Sequence, residues 1–553
     1  MAIETIVTPE LIERYTRAGF WGSRIWPDYI DITAGQAPDR MAVIDSTGSL
    51  TYGQLKRAIG RLALHLLDLG VKKEDRFGIQ LPNWREFVVL RFALAKIGAV
   101  AVPLPADWRR KEIEYVLGAV GASGLTIPGR FRGRNYAGEY EGLAARCPAL
   151  RTLVVTRPAG PPPSGWSSLG DLGDAPVETR QAGGVWKELR PGANEVDLIV
   201  TTSGSTAAPK LVVRTPNCFL TTTHQFVEHR GEMTERDVVA GLAPIARGVG
   251  YWIGVAVPVV SGCTMALLEQ FSPEAALEWI ERTRATVAIA VPAQIVKMLQ
   301  VANLERYDLS SLRLLVNGGA AISPGAAEEV ERRLGCTTMS AYGAVEGGIP
   351  TCTSIDDPRE KRFRTVGRLL PGMEMRIADD DGRALPQGAS GEILYRGPNL
   401  SVGFWRDPDG YRKLFDEEGW FRSGDLGVVD GGGYLTIVGR KKEIIIRGGI
   451  NISPTEVEGL LQDHPGVRQI CIVKMPDPVL GERCCAYVVP VPGATVTVES
   501  LAEFLVARGV AKYKFPERVE LVPELPTTGE GGKVLRRALE DDIRTRLDQE
   551  GKA

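Results

Sequence analysis

Apolar positions along the chain change their period from segment to segment, and the period identifies the element. Leu55, Ile59, Leu62, Leu66 and Leu67 recur at helical spacing, so residues 53–70 read as a helix that Gly70 ends. Residues 77–81 and 99–104 read as strands, with a helical pattern over 86–97 between them. The alternation returns as helix 273–283, strand 287–291, strand 312–316 and helix 324–334. Repeated alternation of this kind stacks helices on sheets, so an α/β fold is expected. Beyond residue 370 strands and glycine turns take over, as at 391–396 and 431–439.

Two stretches change the picture. Residues 248–268 carry no charge and are long enough to span a bilayer, but Gly254, Pro258 and Ser261-Gly262 interrupt them. They read as two buried segments, and no membrane span is expected. Further on, the basic knot Arg440-Lys441-Lys442 precedes a final stretch with helix and strand signals of its own. The expected organisation is a large α/β domain over 1–440 and a small α+β domain over 441–553.

At 553 residues the chain is too long for a single core. Its hydrophobic share of 44% and charged share of 24% are those of an ordinary soluble protein. A net charge of -2 argues against a broad nucleic-acid surface. Glu4, Glu10 and Glu13 break any apolar run at the start, so no secretory signal is read there. The 8 cysteines are scattered without metal-type spacing, which fits a reduced, cytoplasmic setting.

The candidate chemistry begins at "TTSGSTAAPK", residues 201–210. Thr201, Thr202, Ser203 and Ser205 supply hydroxyls, Gly204 permits close backbone approach, and Lys210 adds a cation. Such a loop suits a polyphosphate; the competing reading is a surface turn rich in Ser and Thr. It is not a Walker A loop, because Pro209 precedes the lysine and apolar Leu211-Val212-Val213 follows it. Strand, loop, strand is the expected context.

Seven segments in order resemble the adenylate-forming superfamily of acyl- and aryl-CoA ligases, stand-alone adenylation enzymes and firefly luciferase. They are "LTYGQL" (50–55), "TTSGSTAAPK" (201–210), "YGAVEGG" (342–348), "GEILYRGPNLSVGFW" (391–405), "SGDL" (423–426), "GRKKEIIIRGGINISPTEVE" (439–458) and "GGKVLRR" (531–537). The resemblance covers nearly the whole chain. It implies an ATP-, Mg²⁺- and CoA-dependent ligase that joins a carboxylic acid to AMP and passes the acyl group to a thiol, with a mobile C-terminal domain. A carrier protein is the alternative acceptor, and a homodimer is compatible with this reading.

By the same resemblance, Thr201 to Lys210, including Thr206, holds the β- and γ-phosphates, and Glu346 holds Mg²⁺. Tyr342 and Gly343 face adenine, with Gly318, Gly319 and Ala320 beneath the base; Asp425 takes the ribose hydroxyls and Arg440 lies near them. Lys533 is the catalytic lysine, Lys442 the hinge, and Gly448-Gly449 the passage for the pantetheine arm. The acyl pocket falls at Arg247, Gly248, Tyr251, Asn317, Ala341, Gly347, Gly348 and Ile349.

Three departures stand out. Val345 replaces a frequent threonine, the segment 526–533 is one residue longer than usual, and Arg247 stands where many members have histidine. Arg247 would pair with an anionic group on the acid, with CoA phosphate, or with a protein carboxylate, since a buried charge is seldom left alone. Gly248 stands where dihydroxybenzoate ligases have asparagine, which argues against a catechol acid. The general likeness to cyclohexanecarboxylate and dihydroxybenzoate ligases favours a ring-bearing acid; a fatty or dicarboxylic acid is the alternative. Arg109-Arg110-Lys111 with Arg130, Arg132 and Arg134 could meet the CoA nucleotide or form solvated surface.

Overall fold

A computed structural model describes residues 5–170, 182–202, 209–527 and 534–550. Two large sheets carry the first four hundred residues. In one, Met41–Asp45, Thr264–Leu267, Val238–Gly241, Val287–Ala290, Leu314–Gly318 and Thr337–Ala344 lie side by side in that order, all parallel. In the other, Leu198–Thr201, Val100–Pro103, Arg76–Ile79, Gly124–Pro128 and Thr152–Thr156 run parallel, and Leu211–Arg214 adds an antiparallel strand. Interior strands buried on both faces read as continuous apolar runs, which is why their sequence signal is clear.

The helices fall close to their expected bounds. Tyr52–Asp68 is capped by Thr51 and followed by Gly70 at φ +81. Pro273–Thr283 and Pro324–Leu334 each begin with a serine cap and a proline in the first turn, the arrangement that satisfies free N–H groups at lowest cost. The α/β class expected from the sequence is the class observed.

The uncharged stretch differs from its reading in one respect. Gly254 and Pro258 do not break it: a helical path runs from Gly248–Tyr251 through the wide turn Trp252–Ala256 to Val257–Ser261, and stops at Gly262 with φ +69. The widened turn ends with Val257 N donating to Trp252 O, which leaves Pro258 in the first turn of Val257–Ser261, where a missing N–H costs little. Gly254 is used for contact instead, since a Cβ there would sit 3.6 Å from Gly241 Cα on the neighbouring strand. No helix among the described residues is long and apolar enough to cross a membrane.

A four-stranded antiparallel sheet, Glu374–Ala378, Gly391–Arg396, Phe421–Val429 and Leu435–Arg440, follows. A last sheet is built on Val467–Asp477 and Gly481–Pro490. Period-two alternation in the second of these splits two core clusters: Cys484, Ala486 and Val488 face Leu501 and Leu505, while Cys485, Tyr487 and Val489 face Leu539, Ile543 and Leu547. A large α/β part is thus followed by a small α+β part. All 8 cysteines are buried and unpaired.

Candidate active site

The site is built outward from one tight turn. Strands Thr337–Ala344 and Gly348–Cys352 pair with Ala344 opposite Gly348, which leaves Val345, Glu346 and Gly347 between them. Glycine makes the turn possible. A Cβ at Gly343 would lie 2.2 Å from Gly348 O, one at Gly347 2.2 Å from the Tyr395 hydroxyl, and one at Gly348 2.0 Å from Asn399 O. Gly348 also has φ +70, a region that other residues enter at a cost.

Buried polar groups hold the carbonyls of this turn. Arg214 Nη2 donates to Val345 O at 2.8 Å, Ser401 Oγ donates to the same atom at 2.6 Å, and Tyr411 OH donates to Glu346 O at 2.9 Å. Arg214 is 7% exposed, and among the described residues it has no carboxylate partner and its Nε no hydrogen-bond acceptor. Burial lowers its pKa. The guanidinium still places positive potential beneath Glu346, where low polarisability lets it act strongly.

On one side of the turn stands Lys210, with Nζ 3.6 Å from Glu346 Oε1 and 5.1 Å from the centre of the Phe404 ring. The two strands expected to flank the loop are present and paired, with Thr201 opposite Leu211. Lys210 N donates to Thr202 Oγ1 at 3.2 Å, and Thr202 N donates to Lys210 O at 3.1 Å. These bonds tie Thr202 to Lys210. Ser203, Gly204, Ser205 and Thr206 lie outside the described residues.

On the other side, the Tyr342 hydroxyl donates to Asp425 Oδ2 at 2.8 Å and Arg440 Nε donates to Oδ1 at 2.9 Å. Asp425 and Arg440 are register partners on adjacent strands, which fixes their meeting. Burial, and then the Asp425 charge, push the Tyr342 hydroxyl well above its ordinary pKa, so it stays protonated and donates. A carboxylate has about four acceptor positions, and these two donors occupy two of them.

The remaining sequence candidates divide in two. Gly319 and Ala320 are exposed at the end of strand Leu314–Gly318, with Val249 packed 3.4 Å and 3.8 Å from where Cβ atoms of Gly318 and Gly319 would be. Among the described residues a Cβ at Gly248 would meet only Val345 Cγ2, at 3.8 Å, and Ala341 and Ile349 are half-buried in the sheet. Tyr251 and Asn317 are instead committed to the core. Arg91 Nε donates to the Tyr251 hydroxyl at 3.0 Å, while Asn317 Nδ2 donates to Met339 O at 2.8 Å and Ser340 Oγ at 3.0 Å. Arg247 pairs with Asp107 at 3.3 Å.

Lys442 is exposed in the turn Lys441–Glu443, and its carbonyl accepts from Lys474 Nζ at 3.2 Å. Gly448 and Gly449, at φ +56 and +82, form the two-residue link between Ile445–Arg447 and Ile450–Ile452, where a hairpin needs positive φ twice. Lys533 lies outside the described residues. Its flanks are fixed: Thr527 bridges to Val534, and Arg536 pairs with Glu443 at 3.2 Å and Glu458 at 2.7 Å. Of the basic groups, Arg109 and Arg134 pair with Glu139, and Arg110 with Glu114.

Among the described residues no cluster of three or more His, Cys, Asp or Glu could hold a metal ion by itself. A single carboxylate beside a phosphate-suited loop fits Mg²⁺, which keeps waters and takes the rest of its oxygens from substrate phosphate. Sequence reading gave no role to Arg214, Phe404, Ser401, Tyr411 or Asp107. The available signal was a charge closing the apolar strand "LVVR", and Phe404 within an already recognised motif.

Family models of known proteins match two parts of the chain: one described as AMP-binding enzyme over residues 30–405, and one described as AMP-binding enzyme C-terminal domain over 456–532. The medium-chain fatty-acid–CoA ligase of Escherichia coli K12 is 36% identical over 97% of this chain and 93% of its own. The 2,3-dihydroxybenzoate-AMP ligase of Bacillus subtilis 168 is 32% identical over 97% of each. Among solved structures, ATP-bound MatB from Rhodopseudomonas palustris superposes with a TM-score of 0.83 at 27% identity, over 94% of this chain and 99% of that one.

Proposed function

Because the chain belongs to the adenylate-forming family of AMP-binding enzymes, we propose that it is an AMP-forming acid–CoA ligase with its reaction centre at the turn bearing Glu346. The observation that carries this is the convergence on one turn of the lysine that ends the phosphate-suited segment and a ribose-suited carboxylate. Lys210 stands 3.6 Å from Glu346 on one side, and Tyr342 reaches Asp425 at 2.8 Å on the other.

A carboxylate oxygen of the acid attacks the α-phosphorus of ATP, the bond to the β-phosphate oxygen breaks, and pyrophosphate leaves. Two anions must meet, so charge neutralisation is the main task. Lys210 and the loop from Thr201 hold the departing phosphates. Tyr342, Gly318, Gly319 and Ala320 receive the base, and Asp425 with Arg440 receives the ribose. Glu346 would hold Mg²⁺, which when bound supplies further positive charge to the phosphates. Lys533, carried by the domain over 441–553, spreads its charge over the attacking carboxylate and the α-phosphate.

In the second half-reaction the thiol sulfur attacks the acyl carbon, its proton leaves, and AMP departs with the former carboxylate oxygen. An acyl-adenylate hydrolyses readily, so this step belongs in a shielded site. Rotation about Lys442 withdraws Lys533 and brings the Gly448-Gly449 link to the site, where the absence of side chains leaves width for the pantetheine arm.

For the acid, Arg247, Gly248, Ala341 and Ile349 line the cleft, and Tyr251, Asn317, Gly347 and Gly348 shape it from behind. The motif likeness to aryl and alicyclic ligases supports a ring-bearing acid, and the identity with a medium-chain fatty-acid ligase supports an aliphatic one. Both share an apolar acyl body. A second reading, transfer to a carrier protein, is supported by the 33% identity with a protein named salicyl-AMP ligase / salicyl-S-ArCP synthetase.

Exchange of labelled pyrophosphate into ATP, run over a panel of aromatic, alicyclic and medium-chain acids, tests the proposal. Acid-dependent exchange is expected, followed by thioester formation with CoA. Exchange with no acid, or release of ADP, would overturn it; thioester on a phosphopantetheinyl carrier alone would select the second reading.

A further inference from the structure

We propose that Asp107 is a specificity-determining residue: by pairing with Arg247 at the cleft it neutralises that charge, and the acid accepted is a monocarboxylic one. The inference rests on the reading of Arg247 and Gly248 as part of the acyl cleft. Asp107 sits in the connection after strand Val100–Pro103, and Arg247 in the connection after Val238–Gly241.

Both connections are tied to one short segment after strand Arg76–Ile79. Gln80 Nε2 donates to Pro105 O and Trp108 O, each at 3.1 Å. Asn83 Nδ2 donates to Ala243 O at 3.1 Å, and Asn83 Oδ1 accepts from Ile245 N at 2.9 Å. Arg134 grips the same connection from outside, donating to Ala106 O at 2.7 Å and Trp108 O at 3.1 Å. The backbones on either side of the pair are therefore fixed.

The ion pair itself is loose. Arg247 Nη2 stands 3.4 Å and 3.3 Å from the two Asp107 oxygens, with the side chains 28% and 41% exposed. Fixed backbones presenting a half-solvated pair add little to stability, so the pair's effect is on what approaches it. Gly248 follows Arg247 directly and looks onto Val345, the neighbour of Glu346. An acid carrying a second carboxylate into this region meets the anion of Asp107 beside an already neutralised guanidinium. An uncharged acyl end meets no net charge. Repulsion of the wrong substrate, as much as attraction of the right one, sets specificity.

The test is pyrophosphate exchange by the full-length enzyme with paired acids: octanoate against octanedioate, and benzoate against benzene-1,4-dicarboxylate. The wild type is expected to favour each monoacid. D107N, which frees the guanidinium for a hydrogen-bonded anion, should raise kcat/KM for the diacid relative to the monoacid by about tenfold, and D107N/R247M should restore the monoacid preference. G248V serves as the control for the cleft, since among the described residues a Cβ there meets only Val345 Cγ2. A changed acid profile in G248V with an unchanged ratio in D107N overturns the role of Asp107 alone. An unchanged profile in both overturns the cleft reading and the inference with it, as does a wild type that prefers the diacids.

Discussion

Replacing Asp425 by alanine separates a nucleotide-binding role from a structural one. The carboxylate accepts from Tyr342 at 2.8 Å and from Arg440 at 2.9 Å, leaving about two acceptor positions for the two ribose hydroxyls. Each hydrogen bond to a charged acceptor contributes about 1.5–3 kcal/mol, so losing both weakens ATP binding by at least ~3 kcal/mol, or more than a hundredfold. The fold should lose less. Arg440 is 52% exposed and returns to water, and only the Tyr342 hydroxyl is left short of a partner, at about 1–3 kcal/mol. Calorimetric titration with ATP and with 2′-deoxy-ATP reads the effect directly. Wild type should prefer ATP, whereas D425A should bind both weakly and almost equally. Retention of the 2′-hydroxyl preference in a folded D425A would refute the assignment.

Three more outcomes follow, one from the proposed mechanism and two from the fold. Lys533→Ala should lower acid-dependent pyrophosphate exchange by at least about a hundredfold while sparing thioester formation from a supplied acyl-adenylate; equal loss of both half-reactions would remove the two-posture reading. Gly348→Ala combines φ +70 with a Cβ 2.0 Å from Asn399 O, whereas Gly382→Ala has φ +83 but only Arg422 Nη1 at 4.0 Å; thermal melting should show a loss of more than ~2 kcal/mol for the first and about 1 kcal/mol for the second. Asp237 is buried, which alone would raise its pKa, but the Arg313 pair at 2.9 Å and the Thr286 hydroxyl bring it below the usual aspartate range. A depressed folded-state pKa stabilises above the unfolded value and is lost as pH falls through the folded one, so the melting-temperature gap between wild type and D237N should be full at pH 7 and close in strong acid.

The fold was legible where local signals agreed. Serine caps followed by proline at Pro273 and Pro324 mark helix starts whatever surrounds them, and the continuous apolar strands of the parallel sheets stand out for their burial on both faces. Pro258 misled because it falls in the first turn of Val257–Ser261, where a missing N–H costs little, and Gly254 because it serves close packing against Gly241. At the site, motif order gave the residues that the proposal sets against substrate. It gave nothing about what supports them, since Arg214 reaches Val345 across 131 positions and Asp107 reaches Arg247 across 140. A turn glycine such as Gly347 also looks the same in sequence whether it opens a pocket or makes room for Tyr395.

The central claim, that an acid oxygen becomes joined to the α-phosphorus of ATP at the Glu346 turn, can be followed atom by atom. With the acid labelled by oxygen-18 in both carboxyl positions, mass spectrometry after a CoA-dependent turnover should find one label in AMP and one in the thioester. Unlabelled AMP, or label in inorganic phosphate beside ADP, would contradict it.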